Sequence, residues 1–356
     1  MSLLWVDKYR PKDLSSLDYH TQQAKELKNL VANSDFPHLL LYGPSGAGKK
    51  TRIMCILREL FGPGVERLKT ETVTVTTPSN KKIEITTVNS NYHIEINPSD
   101  VGIYDRVVVM DLIKNIAQTQ HIGSTNNQRN FKVVLLTEVD NLTKDAQHAL
   151  RRTMEKYSTN CRLILCVTSL SPVIPAVQSR CLLIRVSAPS IPEISKILQV
   201  TCKKEDLTIS PALAEKIAKT VNGNLRRALL ICEACKVENK NLTTDREVPE
   251  PDWKKFIEKT ANLITHKQSI DNLMTVREHL YELLTNGIPP EIILKELLIG
   301  LLLKCDKQII PQVVRDAALY EHRMTQGNKH IVHLEAFVTK FMCIYQEHLS
   351  SLMEGF

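Results

Sequence analysis

The sequence predicts an α/β domain of the phosphate-loop kind, a parallel sheet with helices on both faces, followed by two smaller helical domains. Three observations predict it. Residues 43 to 51, Gly-Pro-Ser-Gly-Ala-Gly-Lys-Lys-Thr, lie between an apolar run and a helical pattern. Short apolar runs then alternate with helical patterns as far as Val186, and beyond Pro189 and Pro192 only helical periodicity remains. A chain of 356 residues is long enough for two or three domains that each bury a core. The boundaries read as 1–188, 189–240 and 241–356, the second at the polar stretch from Asn239 to Asp252.

After a segment from Trp5 to Pro11, Ala24, Leu27, Leu30 and Val31 recur on one face of a helix from Thr21 to Ala32. His38 to Tyr42 is an apolar strand. Past the glycine loop, Ile53, Ile56, Leu57 and Leu60 keep helical spacing until Gly62 stops the helix. Period two takes over from Thr70 to Val88, with β-branched residues on both sides of Pro78-Ser79-Asn80, and predicts a hairpin. A strand from Tyr92 to Ile96, a helix from Tyr104 to Thr119 and a polar linker from Gly123 to Asn130 follow. Lys132 to Leu136 reads as a buried strand, Lys144 to Lys156 as a helix, and Arg162 to Val167 and Cys181 to Val186 as strands with a loop between them. Such alternation places a ligand at the carboxyl ends of the strands. Helices from Ile194 to Lys204, Pro211 to Val221 and Asn224 to Val237 form the second domain, and the rest is mainly helical to about Glu354.

Composition is that of a globular protein: 43% apolar, 24% charged, net charge +7. No apolar run approaches the roughly 18 residues of a membrane span, and the longest, Leu297 to Leu303, is interrupted by Gly300. The N-terminal residues lack an apolar segment of signal-peptide length, so the expected compartment is intracellular and the nine cysteines are expected as reduced thiols. Cys232 and Cys235 form a lone C-x-x-C in a helical stretch, which reads as packing rather than a metal site. The basic balance suits a polyanionic partner or serves solubility.

The chemistry concentrates in two places. In the pattern G-x-x-x-x-G-K-[ST] the glycines aim backbone N–H groups into one concavity, the lysine reaches the outer phosphates and the hydroxyl ligates Mg²⁺. Here Gly43, Pro44, Ser45, Gly46, Ala47, Gly48, Lys49, Lys50 and Thr51 supply the cradle, but Lys50 stands where the hydroxyl belongs. Thr51 lies about 100° further round the helix and is no substitute. Thr137-Glu138-Val139-Asp140 ends a strand where such ATPases carry an Asp-Glu pair; Glu138 fits the water-orienting role, while Thr137 replaces the metal-binding Asp. The expectation is a nucleotide, ATP or ADP, bound with no protein contact for Mg²⁺, and slow or absent hydrolysis in cis.

Five motifs then fall in a recognisable order: Trp5-Val6-Asp7-Lys8-Tyr9-Arg10-Pro11, the phosphate loop, Ala146 to Glu155, Ser179-Arg180-Cys181 and Gly223-Asn224-Leu225-Arg226. Together they resemble a small subunit of replication factor C, the eukaryotic clamp loader of the AAA+ class. The resemblance runs from residue 5 to about residue 235, and a long helical tail fits the family's collar domain. It implies an AAA+ nucleotide-binding domain, a helical lid and an all-α collar joining four partner subunits, with the assembly opening the sliding clamp and loading it onto primer-template DNA in the nucleus. It places Trp5, Val6, Tyr9, Arg10 and Pro11 near the adenine, Arg226 on the phosphates from the lid, and Thr168 where the family usually has Asn. It also makes Arg180 a finger into the neighbouring subunit's site, with a solvated loop arginine as the plain alternative.

Lys144, Arg151 and Arg152 share one helix, and the resemblance assigns such helices to duplex phosphates. For the two arginines, contacts within the ring are the alternative. Asn97-Pro98-Ser99-Asp100 and the helix from Tyr104 correspond to the family's clamp contact, where Val107, Val108, Met110, Ile113 and Ile116 serve either the clamp or the core. Two rival functions stay open: a purely structural ring subunit without a nucleotide role, and an independent phosphate-loop kinase or helicase.

Overall fold

The computed structural model describes residues 3–33, 35–77, 82–118, 131–238, 248–327 and 329–354. The predicted turn at Pro78-Ser79-Asn80, the linker from Gly123 to Asn130 and most of the linker from Asn239 lie outside them. The chain divides into two compact units, Met1–Val248 and Pro249–Phe356.

The first unit is built on seven strands: β1 (Leu39–Tyr42), β2 (Lys69–Thr76), β3 (Lys82–Asn89), β4 (His93–Ile96), β5 (Lys132–Leu136), β6 (Cys161–Val167) and β7 (Leu182–Arg185). Their order is β2-β3-β4-β5-β6-β1-β7. From β4 to β7 every pairing is parallel, and β2, β3 and β4 pair antiparallel as the hairpin pattern predicts. Its helices are α1 (Trp5–Lys8), α2 (Thr21–Ala32), α3 (Lys49–Phe61), α4 (Asp105–Gln118), α5 (Lys144–Lys156), α6 (Pro175–Gln178), α7 (Ile191–Lys204), α8 (Pro211–Val221) and α9 (Leu225–Glu238). The region read as a loop before Arg180 contains α6, which Pro175 starts because its fixed φ suits the first helical turn.

Parallel strands must be covered on both faces, and their alternation assigns the covers. Leu39 and Leu41 of β1, Val133 and Leu135 of β5 and Ile164 of β6 pack with Ile53, Ile56 and Leu57 of α3 and with α2. Leu40, Val134, Leu136, Leu163 and Leu165 face the other way, against α4 and α5. On α4, Val108, Ile113 and Ile116 are buried in this second core, Val107 is partly buried, and only Met110 is well exposed. The stripe that the sequence left between clamp and core is therefore mostly core, because α4 must cover the face of β4 and β5.

Helices α7, α8 and α9 enclose a separate cluster around Leu198, Leu213, Ile217, Ala228 and Cys232, and Trp5 of α1 is buried within it. A capping box between Ser190 and Glu193 starts α7, and Asn222 in the left-handed conformation ends α8.

The second unit consists of α10 (Asp252–His266), α11 (Ile270–Thr285), α12 (Pro290–Leu302), α13 (Ile310–Gln326) and α14 (His330–Glu354) around one apolar core with Leu280, Leu297, Phe337 and Phe341. No described helix is long and apolar enough to cross a membrane. None of the nine cysteines is in a disulfide, and no cluster of metal-ligating side chains occurs among the described residues. Cys232 sits beside Cys202, with 3.5 Å between their sulfurs, as packing in the helical cluster.

Candidate nucleotide site

Because β1, β5 and β6 run parallel, their carboxyl ends bring together residues far apart in sequence: the glycine loop after Tyr42, Thr137 and Glu138 after Leu136, and Thr168 after Val167. A cavity of about 270 Å³ opens there, walled on the far side by α7 and α9. Of the residues singled out in the sequence, Val6, Tyr9, Arg10, Pro11, Ser45, Gly46, Gly48, Lys49, Lys50, Thr51, Thr137, Glu138, Thr168 and Arg226 line it.

The loop is shaped by glycine at two points. Gly43 has φ +154 and a Cβ there would stand 1.9 Å from the Val186 carbonyl oxygen. Gly46, at φ +76, would put a Cβ 1.9 Å from Oδ1 of Asn224, at the start of α9. The loop is thus pressed between β7 and the amino end of α9, and the amino end of α3 opens into the same space. Free N–H groups at helix starts favour anions. The Lys49 ammonium donates to the Gly43 and Pro44 carbonyls at 2.5 and 3.0 Å. Burial holds its pKa below the ordinary lysine value, with the Arg226 charge adding to the effect. Two cations, a glycine cradle and two helix starts in one half-enclosed cavity fit a polyphosphate.

They do not fit a divalent metal. The Lys50 ammonium projects to Glu95 of β4 and pairs with its carboxylate. Thr137 uses its hydroxyl on the Ile96 carbonyl at 3.4 Å. Thr168 donates both its N–H, at 3.0 Å, and its hydroxyl to one carboxylate oxygen of Asp140. Glu138, in the left-handed region at φ +53, accepts from Ser99 at 3.2 Å and Asn141 at 3.4 Å. A non-glycine residue held there costs on the order of 1 kcal/mol, as groups at functional sites often do.

Trp5 departs from the sequence reading. The residue is 3% exposed, its indole packs among α7, α8 and α9, and its main-chain N–H donates to a Glu233 carboxylate oxygen at 3.1 Å. It anchors the segment whose Val6, Tyr9, Arg10 and Pro11 reach the cavity. Glu205, at the end of α7, accepts from Lys8 at 2.6 Å, from the Tyr9 hydroxyl and from Lys236 at 3.0 Å, and these bonds hold its carboxyl at about 2. Gly43, Pro44 and Ala47 shape the loop from behind without lining the cavity, and Ala47 offers its carbonyl to the Tyr19 hydroxyl at 2.7 Å.

Arg180 lies elsewhere. Its Nε and Nη2 donate to one oxygen of Glu155 at 2.8 and 2.5 Å, and Nη1 donates to the Ala176 carbonyl at 2.7 Å. Lys144 opens α5, behind the cap that Thr143 makes to the Ala146 N–H group. Arg151 and Arg152 are exposed about 10 Å further along that helix, and Arg151 also pairs with Glu155 at 3.6 Å.

Sequence reasoning missed Glu95, the bonding of Thr168 to Asp140 and the cavity wall formed by Ile197, Thr201 and Leu229. A signal for Glu95 existed: His93 and Glu95 share one face of a strand whose other face carries Ile94 and Ile96.

Family models match the chain in succession: a Rad17 P-loop domain over residues 2–176, an RCF1/5-like AAA+ ATPase lid domain over 196–237 and the C-terminal domain of replication factor C subunit 3 over 253–349. Replication factor C subunit 3 of Bos taurus is 59% identical over 352 residues, 99% of each chain. Replication factor C subunit 5 of Neurospora crassa is 50% identical over 349 residues, 98% of this chain and 99% of its own. A solved Thermotoga maritima RuvB matches with a TM-score of 0.50 at 16% identity, over 83% of this chain and 90% of that one, which speaks to the fold alone. A phosphate loop in an AAA+ fold implies nucleotide binding.

Proposed function

This chain belongs to the replication factor C subunit family, and from that premise we propose that it is one subunit of the heteropentameric clamp loader. That assembly uses ATP to open the sliding clamp and place it on primer-template DNA in replication and repair, and its place of work is the nucleus. We assign residues 1–188 to the AAA+ nucleotide-binding domain, 189–240 to the lid and 241–356 to the collar through which the ring assembles.

The observation that carries this reading is the meeting in one cavity of the glycine loop, Glu138 and the lid's Arg226, in a chain that aligns from end to end with replication factor C subunits. Lys49 and Arg226 balance the phosphates of ATP or ADP, the loop amides hold them, and Val6, Tyr9, Arg10 and Pro11 enclose the base. Glu138 remains available to orient water, yet its own site lacks the ligands for Mg²⁺ and turns over poorly. Arg180 acts at the neighbouring subunit's site, where an arginine of this kind is worth roughly 10³ to 10⁵ in rate in GTPase systems. Lys144 at the start of α5, with Arg151 and Arg152 beyond it, follows the phosphates of duplex DNA, a contact that is salt-dependent and indifferent to sequence.

The test is reconstitution with the four partner subunits, the sliding clamp and primed DNA. Lys49→Met is expected to empty this subunit's site of nucleotide, and Arg180→Ala to abolish turnover at the one site it serves. A ring in which Lys49→Met leaves occupancy unchanged and Arg180→Ala leaves the ATPase untouched contains a purely structural subunit instead.

A further inference from the structure

Lys50 and Thr137 depart from the phosphate-loop pattern 87 positions apart, and the sheet brings both to the carboxyl end of β4. Lys50 bonds the side chain of Glu95, and Thr137 takes the main-chain carbonyl of the next residue, Ile96, through both its N–H group at 3.1 Å and its hydroxyl. An ammonium has three donors. Glu95 takes one of them, from a carboxylate only 13% exposed, while the Lys50 side chain is 43% exposed and lines the cavity. Thr137 adds no negative charge, and Lys50 and Glu95 face each other there as one cation and one anion.

In an ordinary loop this corner holds two metal ligands and needs a divalent ion to neutralise them and the phosphates. Here the metal's position is answered by a side chain already tied to the sheet. We propose that the Lys50 ammonium, restrained by Glu95, is a built-in cation that replaces the divalent metal, so that this pocket holds a nucleoside polyphosphate without one. The proposal rests on the nucleotide reading above and adds to it that binding is independent of Mg²⁺. Glu95 is a positioning residue: it fixes the direction of the ammonium, and the two remaining donors are directed to phosphate oxygens.

The probe is ADP, titrated into the purified full-length chain in excess magnesium chloride and, separately, in EDTA. The dissociation constant is expected to differ by less than about threefold between the two, because no charge-assisted contact to the phosphates is lost with the metal. In EDTA, Lys50→Met is expected to weaken binding by about tenfold or more, the equivalent of one charge-assisted hydrogen bond. Wild-type binding that collapses by about tenfold in EDTA overturns the proposal, and so does a Lys50→Met chain that binds as tightly as wild type there. The comparison within wild type needs no variant to fold. Absence of ADP binding in both buffers, or binding that Lys49→Met leaves unchanged, removes the nucleotide reading itself and the built-in cation with it.

Discussion

Trp5→Ala is expected to weaken nucleotide binding although Trp5 does not touch the cavity. The segment from Leu4 to Pro11 contains one four-residue helix, too short to stand alone, and Leu3 and Leu4 are exposed. What holds it is the Trp5 indole, 3% exposed in the core of α7, α8 and α9, together with the bonds of Lys8 and Tyr9 to Glu205. Truncating a buried tryptophan costs about 3–5 kcal/mol. If docking of the segment is worth about 3 kcal/mol, comparable to burying that ring, the change leaves a balance between 0 and about −2 kcal/mol and a docked fraction between about one half and 3%. Since apparent affinity falls with the competent fraction, ADP should bind roughly 2- to 30-fold more weakly. Trp5→Phe, which keeps most of the buried area, should stay close to wild type. The chain has two tryptophans, so in a Trp253→Phe background the emission of Trp5 reports docking directly and should respond to ADP. A folded Trp5→Ala chain with unchanged ADP affinity would refute the claim that this segment forms a wall of the site.

Two further predictions concern charge. Burial depresses His38 and His93 to about 4, His38 next to Arg162 and His93 with its Nδ1 on Ser90 at 2.7 Å. Both are neutral in the folded state while the unfolded chain takes up protons at about 6.5, so stability is constant above about 6.5 and is lost as pH falls towards about 4. The loss is at most roughly 3 kcal/mol for each histidine, and urea unfolding of His93→Gln should show a shallower slope across that window; an equal slope in both chains would exclude His93 as its source. Glu155 sits well below the usual carboxylate range because Arg180 donates to it. Glu155→Gln should lower the ATPase of the assembled ring several-fold without moving the melting temperature, since the guanidinium is oriented by bonds to Glu155, the Ala176 carbonyl and the Ser179 hydroxyl while one of its five N–H groups stays available. Unchanged turnover would show that Glu155 does not aim the finger.

The glycine loop and its flanks were legible because their signal is local: an apolar strand, glycines and a helical stripe fall within about two dozen residues. The parallel core was legible for a related reason, since Lys132 to Leu136 and Leu39 to Tyr42 are too apolar for any position open to water. Partners supplied by the sheet were not legible. Glu95 reaches Lys50 only because β4 pairs with β5 in parallel register, Ile96 opposite Leu136, and no spacing in the sequence encodes that register. Trp5 misled for the opposite reason: its neighbours Val6 and Tyr9 do line the cavity, and the pattern of a four-residue helix does not say which side faces the lid. On α4 the apolar stripe was ambiguous in principle, since a core face and a docking face have the same composition.

The three departures in the site, Lys50, Thr137 and Thr168, are each hydrogen-bonded to a different group of the same sheet end: Glu95, the Ile96 carbonyl and Asp140. An aspartate at position 137 would add a second carboxylate beside Glu95 and a hydroxyl at position 50 would remove the cation that answers it; together they restore a corner that only a divalent ion can neutralise. Either change alone leaves charge unmatched, by one excess anion or by the loss of the ammonium that pairs with Glu95. Positions 50 and 137 are therefore expected to act as a unit, with Lys50→Thr tolerated better in combination with Thr137→Asp and added Mg²⁺ than by itself. A double-mutant cycle on ADP affinity reads that coupling, and strict additivity would mean that the two residues do not share one electrostatic task.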